Sequence, residues 1–422
     1  MNVKNSKICI VGLGYIGLPT SGYLAKAGYK VTGVDTDQKK LQLLKNGHIP
    51  FEEPGLQMLF NDGFKNFEFR LTPKPADVFI VSVPTPITKT KKPDLSYVKK
   101  AAKSIAKVIE DNNLIIIEST VPPGCSERII LPVLKRGHRK YKIFIAYAPE
   151  RAIPGRTLTE IVKNDRIIGG IDKESARLAK EIYSSFVKGK IYLTDITTAE
   201  TIKILENTYR DINIAFANEI AKLCDKINGN VWKMIELANH HPRVNIHLPG
   251  PGVGGHCIGI DPWFLVRKDG IGSTMIKLSR KINNLMPNYI IDNISRLLKG
   301  INNPTISILG VAYKANVDDW RKTPALKIIE IAKNKGWGIK IHDPLVKDFP
   351  YKKEKDFKKV THNSDCLIII TNHDFYNSIS PAEIKNMRNK TIYDARNMIN
   401  EREWGKAGFV VKILGKNITR DF

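Results

Sequence analysis

Residues 7–35 constrain the fold more tightly than any other stretch of the chain. A short β-branched run, Lys7 to Val11, leads directly into Gly12-Leu13-Gly14-Tyr15-Ile16-Gly17. A helix-patterned segment follows, and a second short run, Lys30 to Val34, ends at Asp35. Glycines in this register form the strand-to-helix turn that cradles a pyrophosphate. Gly12 permits the tight turn, Gly14 lets a ligand approach the backbone, and Gly17 lets helix and sheet pack closely. The helix N-terminus offers unpaired amides and the positive end of its dipole to the phosphates. Asp35 is placed to bond ribose hydroxyls and repel a 2′-phosphate, and no Arg follows it directly, so the expected cofactor is NAD rather than NADP. Tyr15 and Ile16, inside the turn, join the candidate cofactor contacts.

The alternation continues to about residue 195. Runs at Asp77 to Val83, Leu114 to Glu118, Lys142 to Tyr147, Arg166 to Gly169 and Ile191 to Leu193 are short and rich in Ile and Val. Helix-patterned segments such as Leu95 to Ile109 separate them. Such runs predict a parallel sheet covered on both faces. Ligands of these sheets bind beyond the carboxyl ends of the strands, where Val83-Pro84-Thr85-Pro86 and Glu118-Ser119-Thr120 fall. Thr85 and Thr120 are therefore candidate cofactor contacts, with ordinary loop formation as the alternative.

From Thr197 to Asn228 there is no Gly or Pro, and Ile202, Leu205, Tyr209, Ile212, Phe216 and Ile220 recur at intervals of three and four, which predicts one long helix. A Gly/Pro-rich segment, Pro242 to Pro262, and a second helix from about Ser273 to Leu298 follow. Strands return at Thr305 to Leu309, Gly338 to His342, Cys366 to Thr371 and Thr391 to Tyr393. The expected fold class is α/β: two Rossmann-like doubly wound domains, residues 1–195 and 301–422, joined by a central helical domain, 196–300, that contains the long helix.

Lys and Arg number 67 against 42 Asp and Glu, a net charge of +25. Nucleic acid is one reading of that excess. The lysine-rich stretches at Lys89 to Lys92, Lys135 to Lys142 and Lys352 to Lys359 instead read as solvated surface, and no nucleic-acid partner is expected. The five cysteines are scattered without a C-x-x-C pair, which argues against a disulfide framework or zinc ribbon and fits a reducing cytoplasm. The apolar start, Ile8 to Leu18, is broken by three glycines, so no secretory signal is expected. No run approaches the ~18 apolar residues of a membrane span, and no membrane partner is expected.

The segment Pro249-Gly250-Pro251-Gly252-Val253-Gly254-Gly255-His256-Cys257-Ile258-Gly259-Ile260-Asp261-Pro262 carries the most distinctive chemistry. Its glycines allow backbone to approach a ligand around one thiol, and a thiolate is a strong nucleophile near neutral pH. The other four cysteines fit strand or helix patterns as small core residues. His240, His241, His247, His256 and Cys257 are near in sequence but match no common zinc spacing, so no metal site is expected. On the long helix, Lys203, Asn207 and Arg210 share a face. An exposed polar face is the ordinary explanation. Asn207 and Asn218 are, however, poor helix-interior residues unless they bond something, and a Lys beside an amide would stabilise an oxyanion.

Gly12 to Pro19, Val83-Pro84-Thr85-Pro86, Ala148-Pro149-Glu150-Arg151, Lys203 with Asn207, and Gly254-Gly255-His256-Cys257 together resemble the UDP-glucose/GDP-mannose dehydrogenase family, in order and spacing over nearly the whole chain. Within it, Glu206 to Asp211, His241 to His247 and Asp261 to Leu265 are most similar to the members acting on UDP-N-acetyl-D-mannosamine. The UDP-glucose enzymes commonly carry a Lys-Asp pair a few positions after the cysteine; here Ile260 precedes Asp261 and His256 precedes Cys257, which favours a 2-acetamido sugar.

The resemblance implies a four-electron oxidation of a primary alcohol to a carboxylate using two NAD. Cys257 would pass through a thiohemiacetal and a thioester, Lys203 and Asn207 would hold the oxygen as it gains charge, and Asp261 or Glu150 would activate the hydrolytic water. It implies that Arg151, Ala152, Lys203, Asn207, Arg210, His241, Arg243, Gly254, Tyr313 and Lys314 bind the UDP-sugar, that Arg321 reaches the cofactor, and that the central domain forms a homodimer or larger assembly. The same chemistry on UDP-glucose or UDP-N-acetylglucosamine is the alternative.

Overall fold

The computed structural model describes residues 3, 5–153, 155–266, 273–384 and 386–417; the outer limits of the expected domains, residues 1 and 422, lie outside them. Two compact units are present, Met1–Glu206 with Trp263–Leu265, and Asn207–Pro262 with Val266–Phe422.

The first unit holds eight strands: β1 (Lys7–Val11), β2 (Lys30–Val34), β3 (Phe67–Arg70), β4 (Val78–Val81), β5 (Leu114–Ile117), β6 (Phe144–Tyr147), β7 (Arg166–Gly170) and β8 (Ile191–Asp195). They form one sheet in the order β3-β2-β1-β4-β5-β6-β7-β8. Neighbouring residues of a strand serve opposite faces. Ile8 and Ile10 enter one apolar cluster, and Cys9 and Val11 enter another on the far side, which is why these strands are apolar throughout. Helix α1 (Gly17–Lys26) follows β1, and α2 (Lys173–Tyr183) follows β7.

One expectation is corrected. The sheet is not wholly parallel: β7 runs against β6, meeting it only at Ala146–Gly170 and Tyr147–Gly169. Parallel neighbours need a crossover, whereas here the chain turns back after β6. β3 was not expected either; it is a four-residue edge strand carrying Glu68 and Arg70.

In the second unit β9 (Thr305–Leu309), β10 (Gly338–His342), β11 (Cys366–Ile369), β12 (Thr391–Asp394) and β13 (Val410–Ile413) form a parallel sheet in the order β10-β9-β11-β12-β13. This is the shorter doubly wound order, whose ligand crevice opens between its first and third strands, here β9 and β11.

The long helix α3 spans Ile196–Ile227, and α4 spans Thr274–Leu297. Their polar residues join inside the second unit. Asn218 Nδ2 donates to Asn283 Oδ1 at 2.9 Å, and Asn283 Nδ2 donates to Asp211 Oδ1 at 2.8 Å. Arg280 Nη1 donates to Asp211 Oδ1 at 2.6 Å, all four side chains being buried. The buried face of α3 runs through Ile204, Thr208, Asp211, Ala215 and Asn218, while Leu205, Tyr209 and Phe216 of the apolar stripe stand 52%, 56% and 48% exposed.

Candidate active site

The turn after β1 has the shape its glycines predict. Gly12 has φ +101°, a conformation that excludes ordinary side chains, and a Cβ on Gly17 would lie 1.9 Å from Gly12 O. A Cβ on Gly14 would meet nothing within 4 Å, so the backbone there is open to an approaching ligand. Ile16 caps α1, and Tyr15 lies against Phe51 with ring centres 4.3 Å apart. Asp35 accepts from Leu13 N at 3.0 Å, Asp37 N at 3.0 Å and Lys40 Nζ at 2.7 Å. Burial raises its carboxyl, but Lys40 and the two amides outweigh this and hold it below the usual range, so it is an anion facing the turn. Ser119 Oγ bonds both the amide and the carbonyl of Val83 at 2.8 Å, tying together the loops that carry Thr85 and Thr120. These residues suit NAD: an open glycine backbone, a helix N-terminus and a fixed carboxylate for the ribose.

Beyond β6, Lys203 Nζ donates to the Glu150 carbonyl at 2.8 Å. Glu150 Oε1 accepts from the amides of Arg151 at 2.6 Å and Ala152 at 2.9 Å, and Arg166 takes Oε2. The Arg151 guanidinium donates to Glu206 at 2.7 Å.

The second unit holds the cysteine loop. Cys257 is exposed, whereas Cys9, Cys125, Cys224 and Cys366 are buried, and burial pushes the Cys9 and Cys125 thiols up to about 12, out of reach of ionisation near neutrality. Asp261 N donates to Cys257 O at 2.8 Å, which closes one helical turn after the thiol. Asn207 Nδ2 donates to Asp261 Oδ2 at 2.6 Å.

Gly250 N donates to Asn218 Oδ1 at 2.8 Å, so both asparagines singled out on α3 hold this loop. Gly255 N donates to Arg321 O at 3.0 Å, and Arg321 forks onto Asp319. The Tyr313 side chain fills the space beside Gly254 and Gly255: an added Cβ would lie 2.9 Å from its Cβ at Gly254 and 2.9 Å from its ring at Gly255. Loss of water contact and the cations of Arg321 and Lys322 draw the His256 imidazole below its ordinary value. Arg210 and Lys314 are exposed, as are His241 and Arg243, which bond each other on the turn after Val231–Ala238.

Tyr313 and Lys314 follow β9, and Thr371 follows β11, at the expected crevice of this sheet. Asp343 follows β10 as Asp35 follows β2, but it is spent internally. It accepts from Val311 N at 2.7 Å, Ala312 N at 3.1 Å, Leu345 N and Val346 N at 2.9 Å, and from His373. No oxygen is left for a ribose, which distinguishes this turn from the one after β1.

Sequence reasoning missed Ser119, Arg166, Lys40 and Arg396. Arg396, just past β12, donates to Ile370 O at 2.8 Å, with Nη1 2.7 Å from a Cβ position on Gly250. Loss of water contact draws its guanidinium down to about 10. Its place at a strand's carboxyl end was the available signal. Among the described residues no group of three or more His, Cys, Asp or Glu is arranged to hold a metal, and no helix is long and apolar enough to cross a membrane.

Family models match the chain in three successive stretches. The NAD binding domain of the UDP-glucose/GDP-mannose dehydrogenase family covers residues 6–187, the central domain 197–285, and the UDP binding domain 307–401. The chain belongs to this family. It is an NAD-dependent nucleotide-sugar dehydrogenase in fold and cofactor. The UDP-N-acetyl-D-mannosamine dehydrogenase of Methanococcus vannielii is 47% identical over 98% of this chain and 97% of its own length. The solved structure of the UDP-D-ManNAc dehydrogenase of Pyrococcus horikoshii superposes with a TM-score of 0.91 at 38% identity, covering 97% of this chain and 99% of that one. An NDP-N-acetyl-D-galactosaminuronic acid dehydrogenase of Ralstonia nicotianae is 38% identical over 93% of this chain and 96% of its own length.

Proposed function

We propose that this dehydrogenase oxidises UDP-N-acetyl-D-mannosamine to UDP-N-acetyl-D-mannosaminuronate, four electrons in all, with two NAD reduced per sugar. The observation that carries the substrate is the likeness over nearly the full length to proteins of that name. Gly12, Gly14, Tyr15, Ile16 and Gly17 would hold NAD, with Asp35 for its ribose and Thr85 and Thr120 as further contacts, and NAD would supply the hydride acceptor for both oxidations.

The chain's own residues do the rest. Lys203 and Asn207 steady the oxygen of the reacting carbon as its charge grows. The Cys257 thiolate adds to the aldehyde carbon, forming a C–S bond and a thiohemiacetal. Once oxidised this is a thioester, and water adds to it, breaks the C–S bond and returns the thiol. Asp261, four residues after the thiol, is assigned the water's proton, while both oxygens of Glu150 bond Arg166 and two amides. Glu150 then serves the reaction by placing Lys203.

Arg151, Ala152, Arg210, His241, Arg243, Gly254, Tyr313 and Lys314 recognise the UDP-sugar, and Arg321 serves the cofactor. The three family stretches support domains at 1–195, 196–300 and 301–422. The exposed apolar side chains of α3, Tyr209 and Phe216 among them, support a homodimer, and the reduced cysteines suit the cytoplasm.

A panel of nucleotide sugars tests the substrate. The expected ranking by kcat/KM places UDP-N-acetyl-D-mannosamine first, at least about 10-fold above UDP-N-acetylglucosamine, UDP-N-acetylgalactosamine and UDP-glucose. UDP-glucose in first place overturns the substrate assignment.

A further inference from the structure

Three charged side chains lie buried together in the first unit, at the end of the sheet that faces the cofactor turn. β7 runs against β6 with Tyr147 opposite Gly169, so its first residue, Arg166, comes level with Glu150, just past the end of β6. Arg166 is 3% exposed, and its Nη2 is bonded to Glu150 Oε2. Its Nη1 makes no hydrogen bond and stands 3.7 Å from Glu118 Oε1, at the end of β5. The guanidinium lies 4.3 Å from the centre of the Tyr183 ring on α2, whose hydroxyl donates to Glu118 Oε1 at 2.7 Å. Thr20 of α1 donates to the same oxygen at 3.3 Å.

One guanidinium thus faces two buried carboxyl groups. If both were ionised, an uncompensated negative charge would be left away from water, which is costly. The proton resides on Glu118. Burial raises its carboxyl to about 7, with Glu150 adding to the rise and Arg166, Tyr183 and Thr20 opposing it. Below that pH the Arg166 charge belongs to Glu150. Glu150 in turn spends Oε1 on the amides of Arg151 and Ala152 and lends its carbonyl to Lys203.

We propose that Arg166 is a positioning residue for the oxidation: its grip on the Glu150 carboxylate fixes the carbonyl that anchors the Lys203 ammonium, and an ionised Glu118 competes for that grip. This rests on the nucleotide-sugar oxidation proposed above. Residues at one remove from the chemistry matter because they set the orientation of those that perform it. As pH rises through about 7, Glu118 loses its proton, draws Arg166 toward itself and loosens Lys203.

Steady-state kinetics of the full-length enzyme with UDP-N-acetyl-D-mannosamine and NAD test this through three variants. Arg166→Gln is expected to lower kcat about 10-fold or more, with KM for NAD within about twofold, and Arg166→Lys to recover part of the loss. Glu118→Gln, which mimics the neutral acid, is expected to match the wild type below about pH 6.5 and exceed its kcat/KM about threefold or more at about pH 8.5. Superposable pH profiles of Glu118→Gln and the wild type overturn the proposal, and that comparison decides the matter even if Arg166→Gln fails to fold. An Arg166→Gln enzyme that folds and keeps kcat within about twofold overturns it too. A wild-type enzyme that reduces no NAD with any sugar of the panel refutes the proposed oxidation instead, which separates the two failures.

Discussion

A methyl group added at Gly17 has nowhere to go, since its Cβ would sit 1.9 Å from Gly12 O, backbone that cannot swing aside. The same methyl at Gly14 meets nothing of the chain within 4 Å. The two glycines of one turn therefore separate folding from binding. Gly17→Ala should cost about 3 kcal/mol or more of stability, read as a lowered Tm, because overpacking against main chain cannot relax. Gly14→Ala should leave Tm within about 2 °C while raising KM for NAD about 10-fold or more, because only the bound pyrophosphate would meet the methyl. Equal effects of both substitutions on Tm contradict this division. At this scale the sequence was informative. Cys257 was legible because it stands in a loop of many glycines, and the other cysteines because they fall in strand or helix patterns. Arg166 was not legible: it reads as the polar first residue of a strand, and only the antiparallel pairing of β6 and β7 brings it level with Glu150.

Among the elements, periodicity located α3 and α4 to within a residue or two but did not say which face of α3 is buried. Apolar spacing predicts which side chains align on a helix, not whether they face the chain's own core. The buried face of α3 carries a polar seam between apolar residues such as Ile204 and Ala215, Asp211 and Asn218 bonding Asn283 and Arg280 of α4, and Asn218 carries the seam on to Gly250 N in the cysteine loop. Such a seam specifies its partners because each member loses more when left alone than it gains when paired. Asn218→Ala is expected to lower stability by about 1 to 3 kcal/mol in urea unfolding, and Asn283→Ala likewise. The double variant should cost less than the sum of the two, since they share one bond. Strict additivity would show that the asparagines act separately. β3 and β13 escaped notice because each is four residues long and partly exposed, which leaves too short an apolar signature to distinguish from a loop.

The molecule as a whole repeats one device in two versions. Each sheet opens a crevice where its strand order reverses. Asp35 is left facing the turn after β1, while Asp343 is consumed by four amides and His373. That contrast explains in chemical terms why the first turn suits a dinucleotide and the second does not. The exposed apolar residues of α3 belong at the same scale, because a lone chain gains nothing by exposing Tyr209 and Phe216. Replacing both with Asp should convert a dimer to monomers in sedimentation; an unchanged sedimentation coefficient places any interface elsewhere. The net charge of +25 is met only in small part by the residues assigned to pyrophosphates. A four-electron oxidation through Cys257 is read from the NADH formed per UDP-N-acetyl-D-mannosamine consumed to completion. Two are expected, with no sustained turnover in Cys257→Ser; one NADH per sugar, with an aldehyde left as product, would overturn the four-electron reaction.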